Sequence, residues 1–81
     1  MTVTVRFVAW LRDAAGREEC QLHLPNGISA NAVKAVVVDQ FQGLASLLDC
    51  CRLAINWEYQ PWEVLVQNGD ELCLIPPVSG G

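Results

Sequence analysis

The first ten residues alternate. In Thr2-Val3-Thr4-Val5-Arg6-Phe7-Val8-Ala9-Trp10, Val3, Val5, Phe7 and Ala9 fall on one side and Thr2, Thr4, Arg6, Val8 and Trp10 on the other. β-Branched and aromatic side chains dominate the run, which predicts a strand over 2–10 with the first set in the core. The second set begins polar and ends apolar, so Val8 and Trp10 are expected on an exposed face. Leu11-Arg12-Asp13-Ala14-Ala15 then reads as a short helical turn closed by Gly16. Alternation resumes over 18–24, with Cys20, Leu22 and Leu24 facing in and Gln21 and His23 facing water. Pro25-Asn26-Gly27 is a turn, and Ser29 is placed to cap a helix. Val33, Val36, Val37 and Phe41 recur at helical spacing and predict a helix over 30–41, ended by Gly43. Three consecutive valines lower its propensity, but the apolar residues do not alternate and the cap is good.

The second half is less regular. Leu44 to Cys51 reads as a short helical turn, Leu53-Ala54-Ile55 as a strand, and Asn56 to Tyr59 as a tight turn. Trp62 to Val66 is a short irregular segment, and Asn68-Gly69-Asp70 a hairpin turn. Glu71 to Ile75 is the last strand, with Leu72 and Leu74 on one side and Cys73 and Ile75 on the other. The order predicts an α+β fold, a mixed sheet with one main helix laid across one face. The second face is left open and is expected to carry Val8, Trp10, Cys73 and Ile75, an apolar patch of the kind that marks a partner site. The alternative is a loop around Pro61 and Trp62 folding over it. The body spans 1–75, and an extended tail, Pro76-Pro77-Val78-Ser79-Gly80-Gly81, follows over 76–81.

Composition narrows the function. The 81 residues make one domain, and an apolar fraction of 52% suffices for a core without staples. A net charge of −4 argues against nucleic acid, whose phosphates need a basic footprint, and suits a partner that is basic around its own site. No stretch approaches transmembrane length and no signal-peptide layout opens the chain, so the expected setting is the cytoplasm, away from membranes. Cys20, Cys50, Cys51 and Cys73 form no C-x-x-C pair, and with His23 as the only histidine no metal site has a recognisable spacing. All four thiols are expected to be reduced.

Any chemistry is expected at the tail and not at a side chain. Glycine lacks a Cβ, so Gly80-Gly81 can lie in a channel too narrow for a side chain and present an α-carboxylate there. Pro76 and Pro77 are expected to hold the segment extended and away from the body. Glycine-rich ends are also commonly frayed, so the dipeptide alone does not decide.

Taken together, Val5-Arg6-Phe7-Val8-Ala9, Leu11 to Gly16, Ala54-Ile55-Asn56, Asn68-Gly69-Asp70-Glu71 and above all Pro76-Pro77-Val78-Ser79-Gly80-Gly81 resemble the small subunit family of molybdopterin synthase. These are ubiquitin-like sulfur carriers with the β-grasp fold. The resemblance implies that an E1-like adenylyltransferase uses ATP to convert the Gly81 carboxylate to an acyl-adenylate. Sulfur from a persulfide donor then displaces AMP and leaves a thiocarboxylate. The tail enters the large catalytic subunit, where sulfur passes to a pterin precursor. No cofactor is bound permanently, and the acid-base residues are expected on the partner, in a heterotetramer. Gly81 would carry the sulfur, with Pro76, Pro77, Val78, Ser79 and Gly80 lining up in the partner's channel. Val8, Tyr59 and Ile75 match the family's docking surface, and Arg12 a basic position near the activating enzyme, although Arg12 would also suit pairing with nearby acids. The alternatives are a sulfur carrier for another pathway such as the thiamine thiazole, a ubiquitin-like modifier, or an interaction domain with an inert tail. Two departures stand out: Trp57 replaces a frequent glycine after Asn56, and the helix is rich in valine.

Overall fold

Among the described residues, five strands form in the order of the chain: β1 (Thr2–Phe7), β2 (Glu19–His23), β3 (Arg52–Ile55), β4 (Glu58–Gln60) and β5 (Glu71–Ile75). Among the same residues three helices, α1 (Trp10–Ala15), α2 (Ala30–Gln40) and α3 (Ala45–Leu48), lie between them. The computed structural model describes residues 1–77. Val78, Ser79, Gly80 and Gly81 lie outside the described residues.

The sheet order is β2-β1-β5-β3-β4. β1 and β5 run parallel at its centre, while β1–β2, β3–β5 and β3–β4 are antiparallel. Two parallel neighbours need a crossover between them, and the segment containing α2 is part of it. Alternation then sorts the side chains. Val3, Val5, Phe7, Cys20, Leu22, Leu53, Ile55, Leu72 and Leu74 from the strands meet Ala30, Val33, Val37, Leu44 and Leu48 in one buried cluster. Burial of each such aliphatic side chain is worth about 1.5–3 kcal/mol, so this single face supplies most of the drive to fold. The predicted mixed sheet with a helix across one face is therefore present. Among the described residues no helix is long and apolar enough to cross a membrane.

The start of α2 shows how the irregular segment earns its place. Ser29 Oγ accepts from the Ala32 amide at 3.4 Å, as its capping position predicts. The Ala30 and Asn31 amides, which a helix start leaves without partners, donate to the carbonyls of Val64 and Trp62 at 2.9 Å each. Trp62 also packs on the core and donates Nε1–H to the Cys51 carbonyl at 3.3 Å. The segment 62–66 thus lies against α2 and does not cover the open face. The helix stops at Gln40, with Phe41 as its cap, and Gly43 (φ 97°) belongs to the turn beyond.

Several sequence expectations need correction. The first strand ends at Phe7, not at residue 10, because Phe7 is the last residue with pairing partners, Leu74 and the Glu18 carbonyl. The chain then turns at Ala9 (φ 54°), which is exposed and not in the core. Trp10 opens α1, whose fully buried Leu11 anchors the turn, and so does not sit on a strand face. The tight turn is shorter than expected: only Asn56 and Trp57 form it, and Glu58 to Gln60 pair back as β4. Asn68-Gly69-Asp70 makes a turn but joins no paired strands, since β5 inserts between β1 and β3. It is tied instead to β1, through the Gly69 amide on the Thr2 carbonyl and the Thr4 amide on the Asp70 carbonyl.

Candidate functional site

The face of the sheet turned away from α2 is set by register. Arg6, Cys73, Ala54 and Tyr59 are successive partners across four strands, so their side chains share one side. Thr4 pairs with Glu71 and Arg52 with Ile75 on the same side. This face is not a plain apolar patch. Arg6 sits 5.9 Å from the Trp57 ring centre and 3.4 Å from Glu71, while Arg52 sits 5.4 Å from the Tyr59 ring centre. Guanidinium stems and aromatic rings lie alongside one another here, as is usual for arginine on aromatic faces.

Cys73 was expected to be exposed on this face, and it is not. It is only 2% exposed, and its neighbour Ala54 is also buried. Both stand outside the helix-covered cluster, flanked in their row by Arg6 and Tyr59. A short side chain between longer neighbours is shielded without any helix above it. Burial pushes the Cys73 thiol above its ordinary pKa, the Glu71 charge adds to this, and Arg6 opposes it. Burial likewise raises Cys20 and Cys51, so none of the three is primed as a thiolate nucleophile.

The remaining predicted residues divide. Tyr59 is exposed, and Val8 and Ile75 are half-buried. Trp10 is exposed but belongs to α1, apart from the strand rows. Arg12 is exposed and pairs with Glu18 at 3.5 Å, the local role open to it from sequence. Pro77 is exposed, whereas Pro76 is buried, so the first tail residue is part of the body and does not stand away from it. A hollow of about 380 Å³ is lined by Cys50, Arg52, Tyr59, Ile75, Pro76 and Pro77. It brings two predicted docking residues to the root of the tail. Alternation picks out apolar strand positions, and so passes over Arg6 and Arg52, which are stacked cations, and Trp57, which lies in a turn. Among the described residues no group of three or more His, Cys, Asp and Glu side chains is placed to hold a metal ion.

A five-stranded mixed sheet crossed on one face by a helix, with the last strand at the centre parallel to the first, defines the ubiquitin-like β-grasp class. Haloferax volcanii SAMP1 has this fold with a TM-score of 0.91 over 100% of both chains, at 24% identity. Residues 5–81 match the ThiS family, and the chain belongs to that family. The molybdopterin synthase sulfur carrier subunit of Arabidopsis thaliana is 34% identical over 98% of this chain and 82% of its own length. The subunit of the same name from Chlamydomonas reinhardtii is 34% identical over 100% of both chains. Among solved structures, a complex of subunits 1 and 2 of the molybdopterin-converting factor from Helicobacter pylori matches with a TM-score of 0.71 and 26% identity, over 100% of each chain.

Proposed function

We propose that this chain is the sulfur carrier subunit of a molybdopterin synthase. Gly81 is its working residue: an E1-like enzyme and ATP convert the carboxylate to an acyl-adenylate. The outer sulfur of a persulfide donor displaces AMP to give an acyl disulfide, and a second thiol cleaves its S–S bond, leaving the thiocarboxylate and a disulfide. The thiocarboxylate then passes its sulfur to the pterin precursor inside a large subunit, in the cytoplasm, within a heterotetramer. The observation that carries this proposal is the hollow that joins Tyr59 and Ile75 to Pro76 and Pro77. A partner docked on the open face meets the root of the tail, and the four residues beyond Pro77 reach on the order of 13 Å when extended. No side chain of this chain has to act as acid or base for that step.

The experiment is intact-mass spectrometry after incubation with activating enzyme, ATP and a sulfur donor. Wild type is expected to exchange one terminal oxygen for sulfur. Removal of Gly81 is expected to abolish the exchange while leaving the unfolding midpoint unchanged. Exchange that persists without Gly81 would overturn the assignment.

Conjugation into chains of copies is disfavoured by one feature. Lys34, the only lysine in the sequence, has a side chain 22% exposed, lies 4.7 Å from the Trp62 ring centre and is 3.9 Å from Asp49. A cation held this way is a poor acceptor for an acyl group.

A further inference from the structure

We infer that Trp57 is an anchor by which the open face grips the large subunit, at the end of the sheet remote from the tail. This rests on the sulfur-carrier reading and adds a contact to it. Asn56 (φ 50°) and Trp57 (φ 71°) form a two-residue hairpin turn with both residues in the left-handed region. Such turns favour Asn followed by Gly, because only glycine takes the second position without steric conflict.

Asn56 fits its position. Its amide donates to the Glu71 carbonyl at 2.9 Å, its side-chain oxygen accepts from the Glu71 amide at 3.1 Å, and its Nδ2 donates to Asp70 Oδ1 at 3.1 Å. Trp57 does not fit in this way. It is 73% exposed, so it adds little to the core, yet it occupies a conformation that a bulky residue enters only under strain. The Arg6 guanidinium lies 5.9 Å from its ring and is itself partly exposed. Neither the turn nor the core calls for an indole here. A gain made outside the chain accounts for it, since exposed tryptophans that become desolvated at an interface are typical centres of binding energy.

The large subunit is the occupant that continuity selects. Arg6 shares its row with Cys73, Ala54 and Tyr59, and Ile75 is two residues further along β5, at the root of the tail. The face therefore runs without a break from Trp57 to Pro77, while the helices cover the opposite side. A protein that receives the tail and rests on this face reaches Trp57 with an apolar socket.

Titration of purified large subunit with wild type, Trp57→Gly and Ile75→Lys tests the idea, with thermal unfolding of each and activation by the E1-like enzyme measured in parallel. Trp57→Gly is expected to weaken large-subunit binding by about tenfold or more while leaving the thermal midpoint equal or higher. Lost affinity without lost stability is the signature, because a tryptophan with a structural role would lose both together. A lowered midpoint with unchanged affinity would overturn the proposal. So would a loss confined to activation, which would assign Trp57 to the activating enzyme. If Trp57→Gly binds like wild type and Ile75→Lys does not, the anchor is wrong and the carrier reading stands. If wild type itself fails to bind a large subunit, both fall.

Discussion

The two faces of the sheet are built from the same strands and shielded by different means. On the core face, Leu72 is fully buried among valines and leucines delivered by α2 and α3, and nothing polar intervenes. On the open face, Cys73, the next residue along, is almost as buried, yet its neighbours are an arginine, an alanine and, one strand further, a tyrosine. The first face is closed by long-range packing, and the second by side chains that lie down on it and can move aside. A surface of the second kind suits docking: Arg6 and Tyr59 flank small apolar residues and keep them dry until a partner replaces them.

Substitutions on adjacent residues of β5 separate the two. Leu72→Ala is expected to cost about 2–5 kcal/mol in denaturant unfolding, since the cavity has no mobile neighbour to fill it. A loss well under that range would mean that the core face is also adaptable.

A smaller, progressive loss is expected with alkali. Raised thiol pKa values mean that the folded chain keeps protons the unfolded chain has released, so stability is full below the ordinary thiol value of 9.0 and falls as pH rises towards the raised values. Thermal midpoints compared at about pH 8 and about pH 10 check this, and Cys20→Ala and Cys73→Ala should each flatten the decline. If only Cys20→Ala does so, Cys73 is less shielded than its position in the row indicates.

The smallest effect on stability is expected from Arg6→Ala. The Arg6–Glu71 pair is partly exposed (36% and 30%), and such pairs contribute under about 1 kcal/mol. The same change should nevertheless speed the reaction of Cys73 with a thiol reagent, read by mass on the folded protein against the exposed Cys50. Arg6 also lowers the Cys73 pKa, so a rate that did not rise would show that cover by Arg6 does not outweigh its charge.

Much of this was visible in the order of residues. Alternation in β1, β2 and β5 picked out Val3, Val5, Phe7, Leu22, Leu72 and Leu74, because a two-residue period leaves each side chain one choice of face. Ser29 and Gly16 marked helix ends through local backbone chemistry that needs no distant partner. What failed was where a local pattern ran on past the end of its pairing. Val8, Ala9 and Trp10 alternate like a strand, but β1 pairing ends at Phe7 opposite Leu74, and the chain turns at Ala9 into α1, where Leu11 is buried. Tyr59 was placed on the docking surface by family resemblance, while its strand went unseen, since three residues beside a two-residue turn carry no period.

Sequence alone determined the buried residues of the paired strands and the capped helix, which depend on neighbours within a few positions. Only the tertiary structure decided that β5 lies between β1 and β3, that Cys73 is roofed although it points away from the helices, and that Pro76 belongs to the body. Each of those outcomes depends on strands far apart in the chain coming side by side, and no short-range pattern records which of them will meet.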